Sequence, residues 1–324
     1  MAGGTIDIWP LYLFHASPVT VNFAIDRYAT CTLETRSDRQ IRVRSVDQKT
    51  EEGFGSLDEL RSRNGKSRLP LAAQVVRYFA PETGVDLTMD SESPAGAGIA
   101  GSSTLIIALC SALNRLTGAG HKIEKIREIA QNLEAQIIRV PTGCQDYYPA
   151  MYGGVGAIEL TEAGVVRKAV DVTFADLNDR IVLAYTGKPR QSGINNWDVM
   201  KSHINGDKAV HRNFDRIAAI ATGMRTALAR SDWAEVARLL REEWTHRKKN
   251  APGITTPLID ELVALAKRNG SVGAKVCGAG GGGCVFFLVK QGARERVERA
   301  LAGAGATVLP VTVAPKGVQV HVRD

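Results

Sequence analysis

The chain has 324 residues, 44% of them hydrophobic and 23% charged, a balance that suits a globular protein with one large domain or two. Forty-one Lys and Arg against 34 Asp and Glu leave a formal charge of +7, yet the basic residues are spread out, as in Arg238, Arg241, Arg247, Lys248 and Lys249. They carry no aromatic-interleaved stripe, so they read as solvated helix faces rather than a nucleic-acid surface.

An excess of positive charge of this size also helps to steer a small anionic substrate. No apolar run approaches ~18 residues, which excludes a membrane-spanning helix, and Met1-Ala2-Gly3-Gly4-Thr5 lacks the basic opening of a signal peptide. Cys31, Cys110, Cys144, Cys277 and Cys284 are odd in number and contain no C-x-x-C pair. That argues against a disulfide framework or a zinc site and for reduced thiols in cytoplasm. The six histidines show no H-x-x-x-H spacing.

In chain order, alternation of β-branched residues predicts paired strands over 19–34 and 40–46. A helix is expected over 70–80 and a short strand over 85–89. A further helix is expected from about Ser102 to Leu116, broken by Thr117-Gly118-Ala119-Gly120. A second amphipathic helix should run from His121 to Arg139 and stop before Pro141. Strands are expected at 153–160 and 180–185. Then come helical patterns at 207–230, 232–247 and 256–269, and strands at 274–278 and 284–289. A helix at 291–303 and strands at 306–313 and 317–323 close the chain. The polar stretch between Tyr185 and Asp207 is the expected junction of two domains, 1–186 and 187–324.

Between the short strand and the first long helix lies Pro94-Ala95-Gly96-Ala97-Gly98-Ile99-Ala100-Gly101-Ser102-Ser103. Its G-x-G-x-x-G spacing matches the dinucleotide fingerprint, but that fold needs a parallel strand after the helix, ending in an acid. Here a second helix follows instead, so the dinucleotide reading is rejected. The physics of the loop survives. Glycines at 96, 98 and 101 allow positive φ and close approach of a ligand, and the first N–H groups of a helix lack internal partners. Such an end either is a capped structural turn or binds phosphate; three flanking glycines exceed what a cap needs. A hydroxyl in the first turn can also ligate the magnesium that accompanies a nucleoside triphosphate. The second run, Gly278-Ala279-Gly280-Gly281-Gly282-Gly283, stands between two strands and lacks the Lys-Ser/Thr ending of a Walker loop. Glycine this dense between strands means close approach of a ligand or of another backbone. Two such loops suggest two walls of one cleft.

Together these segments resemble the GHMP kinases. Gly3-Gly4-Thr5-Ile6-Asp7 with Asp26-Arg27-Tyr28 resembles the first family motif, PAGAGIAGSST the phosphate loop, and KVCGAGGGGCVFF the third motif. Thr142-Gly143-Cys144-Gln145-Asp146-Tyr147 before Gly153-Gly154, and Tyr185-Thr186-Gly187 before Arg190 and Ser192, resemble the sugar-phosphate branch typified by D-glycero-D-manno-heptose 7-phosphate kinase.

The resemblance implies an α+β, two-domain fold, with an N-terminal ribosomal-protein S5-type domain over 1–186 and a ferredoxin-like C-terminal domain over 187–324. It implies ATP as phosphoryl donor, held by Pro94, Gly96, Gly98, Ala100, Gly101, Ser102 and Ser103, and Mg2+ held by Ser102 and Glu134. Asp146 is the implied catalytic base. Asp7, Arg190, Ser192, Gly280 and Gly281 are the implied substrate contacts, with Lys188 an equal candidate to Arg190. The implied activity is phosphorylation of a sugar or sugar phosphate, at the anomeric hydroxyl. Galactokinase- or fucokinase-like action, mevalonate- or homoserine-type action, and a non-catalytic nucleotide- or sugar-binding role stand as alternatives. The expected partner is a small molecule, with no nucleic acid or membrane; homodimerisation is left open.

Two departures accompany the resemblance. The family carries a strand with a basic residue ahead of Gly-Gly-Thr-x-Asp, whereas Met1 falls almost on the motif here, so the natural product is expected to begin upstream. Ala100 also stands where the family has Gly, which is expected to crowd the loop.

Overall fold

The computed structural model describes residues 1–63, 66–189 and 194–323, the side chains of 194 and 195 excepted. After a 3-10 turn at Leu11–Phe14, the chain forms β1 (Val19–Phe23), β2 (Ala29–Arg36), β3 (Ile41–Ser45) and β4 (Thr50–Phe54). Next come α1 (Leu57–Ser62), α2 (Pro70–Phe79), β5 (Gly84–Ser91), α3 (Gly101–Leu116), α4 (Ile123–Ile138) and α5 (Tyr147–Tyr152). The middle of the chain supplies β6 (Val155–Thr161), β7 (Gly164–Ala169), α6 (Phe174–Asn178), β8 (Ile181–Tyr185), α7 (Ile194–Ile204) and α8 (Lys208–Ala229). The last part holds α9 (Trp233–Arg247), α10 (Pro257–Asn269), β9 (Ser271–Val276), β10 (Cys284–Val289), α11 (Arg294–Gly303) and β11 (Thr307–Leu309).

The chain folds into two compact units that interleave in sequence. One comprises Met1–Asp26, Ala95–Ile99 and Val140–Lys316; the other comprises Arg27–Pro94, Ala100–Arg139 and Gly317–Asp324. Neither unit coincides with the stretches 1–186 and 187–324.

In the first unit, β8, β9, β10 and β11 form an antiparallel sheet of order β11-β8-β10-β9. Counted from β8 this is 4-1-3-2, the ferredoxin-like order expected for the C-terminal part. A second sheet, β1-β6-β7, belongs to the same unit. Val19 and Val21 of β1, Leu183 of β8, Phe286 of β10 and Met224 of α8 share one buried core. Every residue of β10 is buried, which explains the unbroken apolar run CVFFLV.

In the second unit the order is β2-β5-β3-β4, with only the β3–β5 pair parallel. β3 alternates buried and exposed residues, Ile41 and Val43 inward, as a strand with one wet face does. α3 buries Leu105, Ile106, Ile107, Leu109, Cys110 and Leu113, more than one stripe, because it packs against β2, α2 and α4.

Several expectations are corrected. The stretch 19–34 is two strands, not one, and its parts pair elsewhere: β1 with β6, β2 with β5. β3 lies between β4 and β5 rather than beside β2. The break has a tertiary cause. Asp26 Oδ1 and Oδ2 accept from the Thr312 N–H and Oγ1, each at 2.7 Å, and Ala314 N–H donates to Ala24 O. The backbone groups that would continue β1 are therefore spent on the segment after β11. Residues 317–323 form no strand. Val320 and Val322 are 46% and 62% exposed, so their alternation marks a capacity to pair that no neighbour uses. Helix α7 occupies part of the stretch expected to be a polar junction.

Candidate active site

Asp7 lies in the turn after Gly3-Gly4 and is only 2% exposed. Its Oδ2 accepts the backbone N–H of Gln145 at 2.8 Å. Its Oδ1 is buried without a hydrogen-bond partner among the described residues. Gln145 is held from the other side as well, because Asn22 Nδ2 of β1 donates to its carbonyl at 2.8 Å. Glycine at 143 is a steric requirement here, since a Cβ would overlap the Asp7 carboxylate. The structure thus brings Asp7 and the 143–146 segment together, though they lie far apart in sequence.

Asp146 is half-buried and opens α5, but its side chain does not cap that helix. Burial pushes the Asp7 carboxyl up to about 6. The Gln145 N–H opposes that rise, the Asp146 charge adds to it, and the Arg247 cation opposes it more weakly.

Arg247 is a residue that the composition argument misplaced. It was grouped with solvated basic positions, yet it is 4% exposed. Its Nη2 donates to Gly278 O at 2.9 Å, and a Cβ on Gly4 would come to 2.8 Å of its Nη1. It therefore links the end of α9 to the first and third motifs. The only sequence signal was its place on the last turn of an amphipathic helix, which does not distinguish a buried cation from a wet one.

In the phosphate-loop segment Gly96 and Gly98 adopt φ of 69° and 77°, conformations that a Cβ disfavours. Ala100 also has a positive φ, 63°, and is the N-cap of α3 with no side-chain capping bond. The expectation that Ala100 crowds the loop is thereby refined: the cost of lacking glycine is backbone strain. The N-cap residue supplies no side-chain hydrogen bond to the leading end of this 16-residue helix. Pro94 and Gly101 are half-buried and Ser102 is exposed.

Ser103 is 6% exposed and donates through Oγ to Glu134 Oε2 at 3.1 Å; Glu134 is equally buried. The implied metal pair was Ser102 with Glu134, whereas the hydrogen bond to Glu134 comes from the neighbouring serine. A buried carboxylate beside serine hydroxyls is the hard-oxygen donor set that magnesium accepts, so these residues fit the implied ion in chemical type.

The third-motif loop is locked by backbone bonds. Cys284 N–H donates to Ala97 O at 2.7 Å, and Gly283 N–H to Lys188 O at 2.9 Å. Thr186 Oγ1 donates to Gly283 O at 2.9 Å. A Cβ on Gly283 would come to 2.6 Å of Ala97 O, so the two glycine-rich segments touch backbone to backbone. Gly280 (φ 93°) faces the backbone of Ile254, and Gly281 N–H donates to Ile254 O at 3.0 Å. Packing against 253–254 thus accounts for these two glycines, which were assigned to substrate. Arg190 and Ser192 lie outside the described residues; Lys188 is exposed.

Comparison with known proteins shows the family. The GHMP kinases N terminal domain matches residues 70–154 and the GHMP kinases C terminal model matches residues 224–307. A D-glycero-alpha-D-manno-heptose 7-phosphate kinase of Campylobacter jejuni is 26% identical over 98% of this chain and 95% of its own length. An L-fucokinase/L-fucose-1-P guanylyltransferase of Bacteroides fragilis is 28% identical over 99% of this chain, but only 37% of that protein is covered. The crystal structure of a D-glycero-D-manno-heptose 1-phosphate kinase from Bacteroides thetaiotaomicron shares the fold, with a TM-score of 0.74, 23% identity, and coverage of 99% of this chain and 96% of that one. Both family models match in their proper order, and between them they take in just over half of the chain: it belongs to the GHMP kinases, a family of small-molecule kinases.

Proposed function

We propose that this protein transfers the γ-phosphoryl group of ATP to a hydroxyl of a sugar or sugar phosphate, with the anomeric C1 hydroxyl as acceptor. The observation that carries this reading is Asp7. Its carboxylate is buried beside Asp146, and its Oδ1 has no hydrogen-bond partner among the described residues. A buried acceptor left unmade costs about 1–3 kcal/mol, and a sugar hydroxyl donating to Asp7 Oδ1 would remove that cost. The full-length similarity to a heptose 7-phosphate kinase supports the choice of substrate class.

Phosphoryl transfer is chiefly positioning and charge neutralisation. Asp146 accepts the proton of the attacking hydroxyl as the new O–P bond forms and ADP leaves. Asp7, fixed by Gln145 and by the absence of a Cβ at 143, orients the sugar. Segment 94–103 binds the triphosphate through its glycine backbone and the leading N–H groups of α3. Magnesium, when bound, supplies charge neutralisation on the phosphate oxygens, and Glu134 with Ser102 or Ser103 are the residues to hold it. Arg190, Ser192 or Lys188 would meet a second anionic group on the substrate. Along the sequence, 1–186 supplies the ATP-binding part and 187–324 the C-terminal kinase part. The five free cysteines fit a reducing compartment, the cytoplasm.

A coupled ADP-release assay over free sugars, sugar phosphates, mevalonate and homoserine tests the reading. Turnover with a sugar or sugar phosphate is expected. Turnover confined to mevalonate or homoserine would replace the substrate class. Nucleotide binding with no turnover on any acceptor would favour a binding protein.

A further inference from the structure

Three of the six histidines meet in the first unit, although no two of them have a metal-binding spacing in sequence. His15 follows the 3-10 turn, His203 lies near the end of α7, and His211 lies in the first turns of α8. One ring nitrogen from each falls within 4.8 Å of the others. His15 and His203 are buried and His211 is half-buried, among Phe14 and Phe214.

Hydrogen bonds orient the rings. His15 Nδ1 lies 2.7 Å from Asp215 Oδ1 and donates to that carboxylate. His15 Nε2 lies 2.8 Å from His203 Nε2, so the two nitrogens share one proton. His211 Nε2 lies 2.9 Å from the carbonyl of His203 and donates to it, leaving Nδ1 of His211 as a lone pair. His203 Nδ1 is buried and has no partner among the described residues.

We propose that His15, His203 and His211 form a binding site for a divalent transition-metal ion of the zinc type, separate from the magnesium that accompanies ATP. Imidazole nitrogens suit zinc, copper, iron or nickel and are poor ligands for magnesium. Two of the three rings already have the second nitrogen anchored, one on a carboxylate and one on a backbone carbonyl, as metal-bound histidines do. A tetrahedral ion with Zn–N of about 2.05 Å holds its ligand nitrogens about 3.3 Å apart. The 2.8 Å pair therefore needs to open by only about half an ångström; as the ion takes its place between the two rings, the proton they share moves to His203 Nδ1, which has no partner among the described residues. Three protein ligands leave a fourth position for water or another ligand. The ion would clamp the 3-10 turn, which follows the Asp7 segment, onto the α7–α8 hairpin. The proposal stands on these side chains and does not depend on the kinase reading.

The test uses the full, tag-free chain stripped with EDTA and titrated with Co2+, then with Zn2+. One Co2+ per chain, with the visible absorption of a tetrahedral nitrogen site and displacement by one equivalent of Zn2+, is expected. His211→Gln should loosen Zn2+ at least tenfold, and Asp215→Asn by about 10–100-fold, both with unchanged circular dichroism. A folded wild-type chain that takes up neither ion at micromolar concentration overturns the proposal. So does undiminished Zn2+ affinity in folded His211→Gln. Asp215 has a side chain 62% exposed, so its variant keeps the test decisive should His211→Gln fail to fold.

Discussion

The backbone N–H of Gln145 donates to Asp7 Oδ2 at 2.8 Å, across 138 positions of sequence. That bond fixes one carboxylate oxygen and sets Asp146, the next residue, beside Asp7, while Oδ1 has no partner among the described residues. The arrangement makes Asp7 a costly buried charge and a ready acceptor for a hydroxyl.

The pH dependence of stability should therefore differ between the wild type and Asp7→Asn. The Asp7 carboxyl is raised from 3.8 to about 6 in the folded chain, so between those values the folded state binds the proton more tightly than the unfolded state. Stability from this group is greatest below about pH 4, falls as pH rises towards 6, and stays low above. Two such units correspond to about 3 kcal/mol at most. Denaturant midpoints at pH 4 and pH 8 check the effect. The pH-dependent difference between the two proteins should favour the variant at pH 8, and parallel curves would contradict the burial of the charge.

Gly143→Ala should disturb the same contact from the other side. The φ of Gly143 is not among the positive values, so the backbone tolerates alanine and the damage comes from overlap with the Asp7 carboxylate. We expect a loss of about 1–3 kcal/mol, the cost of a broken buried hydrogen bond, and a raised KM for the sugar. Removing the obstacle in Gly143→Ala with Asp7→Ala should make the two changes strongly non-additive. Additive free energies of unfolding would show that they do not meet.

Asp146→Asn should lower kcat by about 10²–10⁴-fold, the usual contribution of a positioned base, with the fold retained because asparagine has nearly the same shape. Steady-state rates and a thermal melt measured together separate these effects. A wild-type kcat in the variant would remove Asp146 from proton transfer.

Ala100→Gly should stabilise the protein by up to about 1 kcal/mol, since alanine at φ 63° pays a left-handed penalty that glycine avoids, less the extra unfolded-state entropy of glycine. A rise in Tm with unchanged α3 content is the expected result. A fall would mean that the alanine methyl makes a contact worth more than the strain.

The elements legible in the sequence are those with local causes. The helix over 101–116 and the loop before it could be read because glycine spacing, the Thr117–Gly120 break and apolar content act within a few residues. The separate strands and helices of the ferredoxin-like part were legible for the same reason, while their arrangement was implied by the family resemblance alone. The strand break at 24–28 was not, because it depends on Asp26 meeting Thr312. Nor was the absence of a strand at 317–323, where alternation lacks a partner. Asp7 and Asp146 were singled out by family resemblance, but nothing in the sequence showed that their segments touch.

The sequence by itself determined the glycine-floored loop, the longer helices and several strands, and the motifs that mark the family, because backbone freedom and hydrophobic period are properties of neighbouring residues. Only the tertiary structure decided that Arg247 is buried beside the first and third motifs, that Ser103 rather than Ser102 meets Glu134, and that His15, His203 and His211 share one pocket of side chains. Those facts depend on which distant segments exclude water together, and that is settled by packing across the fold rather than by spacing along the chain.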